Sequence, residues 1–323
     1  MQPNFGSLFG EPIPAYFALL MIGFGVATLV ASRLAKRQGL DHEVIIDLSL
    51  LSLIAGVLGG RLLHVIADGY FWDYVHLCTD PNAVIWRSVT SIGECHQLHG
   101  RWDAEAALCH AIERDCFAWA EFWNGGLAYY GGLVVATVAG IYFLRRERFP
   151  VGKGIDIVGA VLPLGIFFGR LGCFFGGCCF GLPTDSLLGL VFPAGSAASY
   201  EQFEHGLLPD KNLPSLPVFP TQLYEAFGCL AIAAFLLLWL HPRKRWDGQV
   251  LLSFLGLYAV LRFGLEYLRA DDRGALLGLS TSQLIGVAIL AGCAALWPVL
   301  RRGRLRLDRP ATFAAADAPG ESS

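Results

Sequence analysis

Four ionisable side chains lie where an apolar sequence should not carry them. Arg61, Arg170, Arg262 and Glu266 each interrupt a long hydrophobic run. At bilayer depth a charged group costs several kcal/mol (roughly 2.5–3.5 on insertion scales), so it pairs or lines a wet cavity and marks a functional site by default. Arg262 and Glu266 are four residues apart, share one helix face and can pair, with Arg269 a further turn on. One reading is a structural ion pair holding the helix to its neighbours. The other is an anion-binding face on which Glu266 orients an arginine. Arg170 stands in residues 169–181, which hold Gly169, Gly172, Gly176, Gly177 and Gly181. Each glycine costs a helix about 1 kcal/mol relative to alanine, so this segment is expected to leave the helix. Irregular backbone at that depth is tolerated only where it is buried in protein or lines a cavity. A planar guanidinium fork beside such a segment suits a phosphate. Arg61 follows Gly59-Gly60, which would let another helix approach its guanidinium; the alternative is snorkelling toward an interface.

The same glycine-rich segment carries Cys173, Cys178 and Cys179. These are small apolar fillers, a disulfide, or a reactive thiol. A vicinal Cys178–Cys179 bond would be strained, so pairing with Cys173 is the better form of the second option. Further polar groups open two other apolar runs: Asn124-Gly125-Gly126-Leu127 with Tyr130, and Thr221-Gln222-Leu223-Tyr224-Glu225. Aromatic residues belong at membrane interfaces in any case. Gln222 and Glu225 require partners. Every candidate falls toward one end of its apolar run, which points to a single site facing one leaflet.

The elements that position these groups follow from composition. Of 323 residues, 54% are hydrophobic and 16% charged, against about a quarter charged in a soluble domain. A bilayer core needs roughly 20 apolar residues per helix, and about seven stretches qualify, near 15–34, 44–66, 125–144, 155–176, 221–240, 249–268 and 281–300. Asp156 and Pro163 make the fourth less clean. The expected fold is an all-α polytopic membrane protein, with a membrane domain over 1–309 and a disordered cytoplasmic tail over 310–323. No positively charged start and cleavage site precede the first span, which is therefore expected to remain in the mature protein. Lys and Arg gather after spans one, three, five and seven: Arg33, Lys36, Arg37; Arg145, Arg146, Arg148, Lys153; Arg243, Lys244, Arg245; Arg301, Arg302, Arg304, Arg306, Arg309. The opposite loops hold only Arg87, Arg101, Arg114, Lys211, Arg269 and Arg273. The basic side is cytoplasmic, which puts the N-terminus outside and the C-terminus inside. Cys78, Cys95, Cys109 and Cys116 then fall in an outer loop, about 68–122, where disulfides persist. Three pairings are open. A metal site with His96, His99 and His110 is the rival, but the spacings match no common zinc pattern. Cys229 and Cys293, inside spans, are packing residues.

Taken in order, these motifs resemble the prolipoprotein diacylglyceryl transferase family. The resemblance rests on Tyr16 early in the first span, Gly59-Gly60-Arg61, Asn124-Gly125-Gly126-Leu127, Gly169-Arg170-Leu171-Gly172, Pro220-Thr221-Gln222-Leu223-Tyr224-Glu225, and Tyr258, Arg262, Glu266 and Arg269. It implies a transferase of the bacterial inner membrane. The enzyme moves the diacylglyceryl group of phosphatidylglycerol onto the lipobox cysteine of a prolipoprotein signal peptide and releases glycerol phosphate. It further implies catalytic roles for Arg170, Arg262, Tyr130 and Glu266, with the arginines on the lipid phosphate and Glu266 orienting them. Tyr16, Arg61, Gly181, Gln222, Tyr258 and Arg269 would bind substrate. A thiol site at Cys173, Cys178 and Cys179, able to accept or relay the lipid, stands beside the packing and disulfide readings. No cofactor, metal or nucleic acid is expected. This chain departs from the family in three ways. Tyr130 stands where a histidine is common, Cys173 and Cys178 stand where Asn and Glu are common, and the outer loop is long and rich in cysteine.

The same residues also fit other functions. The divergent positions leave room for a related phosphatidylglycerol-dependent transferase with another acceptor. A thiol–disulfide membrane protein would use the outer cysteines, although Cys-x-x-Cys is absent. A transporter would line a path with the buried charges, but no internal repeat or matched pair of broken helices is found.

Overall fold

The computed structural model describes residues 4–8, 11–86, 89, 92–97, 100–121, 126–269, 275–276 and 278–303. Arg87, His99, Trp123, Asn124, Gly125, Arg273, Arg304, Arg306, Arg309 and the expected tail over 310–323 lie outside the described residues. In chain order the elements are β1 (Asn4–Leu8), β2 (Glu11–Pro14), α1 (Ala15–Arg37), α2 (His42–Ala67), α3 (Phe71–Thr79) and α4 (Ile92–Gln97). They continue with β3 (Arg101–Asp103), β4 (Leu108–His110), α5 (Tyr129–Arg146), α6 (Val151–Gly176) and α7 (Ala197–Glu204). Then come α8 (Thr221–Ala234), a π-helical stretch Phe235–Leu240 and α9 (His241–Arg243), which together form one rod, followed by α10 (Gln249–Glu266), β5 (Ala275–Leu276), β6 (Leu279–Ser280) and α11 (Thr281–Arg301). Among the described residues the strands make three two-stranded antiparallel ladders; the fold is mostly helical.

Among the described residues, six helices are long and apolar enough to cross a membrane: α1, α2, α6, the rod Thr221–Arg243, α10 and α11. The remaining expected span is α5, whose 18 residues begin with two tyrosines and end with two arginines. Those polar ends keep it short of the same mark. Prolines stand just before α1, α6 and α8, where a missing N–H does no harm. Large apolar side chains such as Met21, Leu29, Leu58, Leu62 and Leu238 are exposed along the rods, as lipid-facing surfaces require.

Two compact units divide the chain: 1–45 with 149–323, and 46–148. In the first, α6 is the central helix, packed by α1, α8 and α10, with α11 against α10. Ala160, Leu236, Leu240, Val250 and Phe254 form its core. Asp156, fully buried in α6, accepts from the backbone N–H groups of Gly248, Val250 and Leu251 at 3.0, 2.9 and 3.2 Å, and from Lys244 Nζ at 2.8 Å. A carboxylate thus caps the start of α10 from a neighbouring helix, satisfying N–H groups that the helix cannot pair internally and meeting its positive dipole end. Burial alone would lower the Lys244 pKa, but hydrogen bonds and charge from Asp156 and Asp247 hold it above the ordinary lysine value. At α11, Ser280 and Gln283 form a reciprocal capping box.

In the second unit α2 and α5 approach through glycines. A Cβ on Gly59 would meet the Gly131 carbonyl and Val135, so small residues set this contact. The loop between them is tied by Cys78–Cys116 and Cys95–Cys109, one of the three pairings that the sequence left open. Val89 packs against the second disulfide, and β3 pairs with β4 beside it.

Candidate active site

The end of α6 builds the first part of the site. Contrary to the expectation from glycine content, residues 169–176 stay helical and the chain leaves the helix only at Gly177. Tertiary contact overrides the propensity cost: Tyr16 of α1 lies against Gly172, with Cδ2 3.0 Å from where a Cβ would stand. The helix closes in a Schellman turn. Gly177 adopts φ +71°, its N–H donates to Phe174 O at 3.2 Å, and the Cys178 N–H donates to Cys173 O at 3.1 Å. Cys179 follows with φ +61°, a left-handed conformation outside glycine. Two side chains at the start of α8 fix this turn, Thr221 Oγ1 donating to Cys179 O at 2.9 Å and Gln222 Nε2 to Cys178 O at 2.7 Å. Further on, the Gly181 N–H donates to Phe219 O and the Leu182 N–H to Leu268 O. A Cβ on Gly181 would collide with the Leu268 carbonyl. Gly181 therefore allows close passage of two backbones.

The charges form two adjoining sets. Arg170 Nη2 lies 3.0 Å from Glu225 Oε1, and Tyr258 OH donates to the same oxygen at 2.8 Å. Glu225 is almost wholly buried. In the other set, Arg262 Nη2 lies 2.9 Å from Glu266 Oε2, and Ser280 Oγ donates to Glu266 Oε1 at 2.6 Å. Tyr258 and Arg262 are four apart on α10, so the sets follow each other on one face, separated by about 6 Å of helical rise. Arg262 Nη1 is buried and has no hydrogen-bond acceptor among the described residues, and Gln222 Oε1 likewise has no donor. A buried orphan donor calls for an explanation, and an absent ligand is one.

The three thiols close the group. The Sγ atoms of Cys173, Cys178 and Cys179 all lie within 4.8 Å of one another. Cys179, beyond the helix end, is drawn below the usual thiol range by hydrogen bonds with Cys173 and Cys178 and by the Arg269 guanidinium. Cys178 is pushed up by the same sulfur neighbours.

One unit thus holds Tyr16, Arg170, Cys173, Cys178, Cys179, Gly181, Gln222, Tyr258, Arg262, Glu266 and Arg269, at the ends where α6 and α10 finish and α8 and α11 begin. Arg61 and Tyr130 belong to the other unit. Arg61 donates to the carbonyls of Trp119 (2.7 Å), Ala118 (2.6 Å) and Gly126 (3.3 Å), and its guanidinium stands over the Tyr74 ring. Tyr130 is exposed, its ring edge-on to Tyr129. Sequence reasoning asked for partners to Glu225 without giving it a place in the site, although the signal was present as a carboxylate opening an apolar run. It also passed over His64, one turn beyond Arg61, whose Nδ1 is 2.7 Å from Asp68 Oδ2; the His-x-x-x-Asp spacing was the available clue.

Comparison with known proteins extends the likeness beyond these residues. The profile of the family described as prolipoprotein diacylglyceryl transferase matches residues 3–89 and 106–299. Among similar proteins, Phosphatidylglycerol--prolipoprotein diacylglyceryl transferase 2 of Clostridium perfringens is 27% identical over 293 residues, covering 90% of this chain and 93% of that protein. The enzyme of Caulobacter vibrioides carrying the same name without the numeral is 31% identical over 304 residues, covering 89% and 86%. That of Corynebacterium diphtheriae is 27% identical over 299 residues, covering 91% and 90%. The profile passes over residues 90–105, inside the cysteine-rich loop, and takes in all the long helices. A match carried through the whole membrane domain rather than through one motif means that this chain belongs to the prolipoprotein diacylglyceryl transferase family.

Proposed function

We propose that the chain transfers the diacylglyceryl group of phosphatidylglycerol to the lipobox cysteine of prolipoproteins, releasing glycerol phosphate, in the inner membrane of a bacterium. The observation that carries this reading is Arg262: a buried guanidinium with an orphan Nη1, one turn along α10 from the Arg170–Glu225–Tyr258 set. A phosphodiester oxygen supplies the acceptor that Nη1 lacks. As the glyceryl carbon–oxygen bond breaks, negative charge grows on the phosphate, and fixed donors at that point stabilise the transition state more than the bound lipid. Arg170 and Arg262 take this role. Glu225 orients Arg170, and Glu266, itself held by Ser280, orients Arg262. Tyr258 fixes Glu225, Gln222 and Gly181 shape the turn against which the headgroup rests, and Tyr16 lines the acyl side. Arg269 adds positive charge beside the thiols. The donors of Arg61 are engaged by loop carbonyls, which supports a role in holding the outer loop. Tyr130, in the other unit, keeps a proposed catalytic role.

The test follows glycerol phosphate release from phosphatidylglycerol vesicles with a lipobox peptide. Arg170→Ala and Arg262→Ala should each lower transfer by about 100-fold or more, the scale of losing an oriented charge donor, with membrane insertion intact. Unchanged activity in either purified variant sinks the phosphate clamp.

A further inference from the structure

We propose that Cys173, Cys178 and Cys179 form a three-thiolate site for Zn2+, with the fourth coordination position open to the thiol of the acceptor cysteine. The assignment starts from the turn that brings the sulfurs together. In a Schellman motif the residue after the left-handed position packs back over the residue at the third position from the helix end, usually as an apolar contact. Here those two residues are Cys178 and Cys173, linked by the backbone hydrogen bond of 3.1 Å. Cys179 joins them from a left-handed φ of +61°, a conformation that costs a non-glycine residue about 1–3 kcal/mol and persists only where the surroundings impose it. Thr221 and Gln222 impose it by holding the carbonyls of Cys179 and Cys178. The site is therefore shaped by backbone constraints before any ion binds.

Distance, charge and donor count agree on the ion. A tetrahedral zinc with Zn–S bonds near 2.3 Å needs sulfurs about 3.8 Å apart, and these lie within 4.8 Å of one another. Soft thiolate sets select zinc or copper(I) over the hard cations. Three thiolates with Zn2+ carry a net charge of −1. Arg269, hydrogen-bonded to Cys179, and Arg170, in the field of Cys173 and Cys179, offset it. Among the described residues no fourth His, Cys, Asp or Glu joins the cluster, and zinc sites that work on substrates keep one position open.

The chemistry then has a use for that position, and this part rests on the transferase reading above. An attacking thiol must first become a thiolate, yet Glu225 and Glu266 are both occupied by an arginine and a hydroxyl. A thiol coordinated to zinc is deprotonated outright. The acceptor S–H loses its proton to water as the S–Zn contact forms. Its sulfur then bonds to the glyceryl carbon while that carbon's bond to the phosphate oxygen breaks. The electron pair leaves on glycerol phosphate, which takes up a proton, and zinc keeps its charge throughout.

The experiment uses the full chain in detergent micelles, purified reduced, with Zn2+ and Co2+ as probes. One zinc should remain per chain after desalting and should protect all three cysteines of the wild-type protein from alkylation. Cobalt should give thiolate-to-metal absorption that disappears in Cys173→Ser and Cys178→Ser and survives in Cys229→Ser. A lipobox peptide should shift these bands, and the same peptide with serine should not. Metal removal should lower transfer by about 100-fold, the scale of losing assisted proton removal, with recovery on adding zinc. No retained metal, alkylation unaffected by zinc, or cobalt bands indifferent to the cysteine peptide would each overturn the proposal. Band shifts without glycerol phosphate release would uphold the metal site and sink the transferase reading. Full transfer by the metal-free chain would do the reverse.

Discussion

At the scale of single residues, Glu225 is the group on which Arg170 depends. Its Oε1 receives both Arg170 and Tyr258, and with almost no exposure it is a charge that burial tolerates only when paired. Glu225→Gln keeps the shape and removes the charge, so the arginine loses its ionic anchor but not its neighbour. Transfer measured as kcat/KM should fall about 10- to 100-fold, on the scale of mutating an oriented donor's support. Tyr258→Phe removes a single hydrogen bond to that oxygen, and about 1 kcal/mol, roughly fivefold, is expected. Equal losses in the two variants would mean that the tyrosine itself touches lipid. The arginines were legible in the sequence because charges stand out in an apolar run. Which carboxylate meets which arginine was not, because it depends on how α6, α8 and α10 pack. The sequence reading had Glu266 orient both arginines, whereas Glu266 is paired with Arg262 and Glu225 with Arg170. The three thiols were legible as a group, but not the geometry that gathers all three sulfurs. Their spacing matches no familiar metal motif, and only the left-handed turn at Gly177 and Cys179 brings them together.

At the scale of elements, the energetic question is how a buried carboxylate in α6 comes to stabilise another helix. Asp156 collects three backbone donors at the start of α10 and the Lys244 ammonium. Asp156→Ala leaves those donors unmet and strands Lys244, a loss of about 3–5 kcal/mol for a broken buried pair. It should appear as a lower unfolding temperature in micelles. Asp156→Asn, which still offers an acceptor, should lose less, and activity per folded molecule should persist in both. Because the folded-state pKa of Lys244 is raised, the stability from this pair is fully present below the ordinary lysine value of about 10.4 and fades only as pH climbs beyond it. This pair's contribution to the unfolding temperature should therefore stay constant between pH 6 and 9. The Cys95–Cys109 bond closes a separation of 14 residues, worth about 3 kcal/mol by loop entropy. Replacing both cysteines with serine should open the loop to limited proteolysis. Transfer should survive, since the family profile omits residues 90–105. Helix positions were readable from apolar length to within about four residues at either end. The glycine-rich end of α6 was not, because a packing contact with Tyr16 outweighs intrinsic propensity there.

At the scale of the whole molecule, α5 decides the topology. Among the described residues six helices are long and apolar enough to cross, and an even number would return both ends of the chain to one side. An odd number, with α5 as the additional crossing, puts every basic cluster on one side and the disulfide-bearing loop on the other. Those two constraints have different physical origins, one in membrane insertion of Lys and Arg and one in the redox state of the compartment, and only the odd count satisfies both. The 18 residues of α5 span about 27 Å at 1.5 Å each, slightly under a typical core of about 30 Å, a mismatch that local thinning and the flanking Tyr and Arg anchors would absorb in a crossing α5. Single cysteines placed at two exposed loop positions separate the alternatives. Glu105→Cys lies before α5, and Leu187→Cys lies after α6. In a background lacking Cys173, Cys178, Cys179, Cys229 and Cys293, a membrane-impermeant maleimide applied to intact spheroplasts should label both. Arg302→Cys, after α11, should react only once the membrane is opened. Labelling of Glu105→Cys without Leu187→Cys would mean that α5 does not cross. The turn with Cys178 and Cys179 would then face the cytoplasm, away from secreted acceptors, and the transferase reading would lose its substrate.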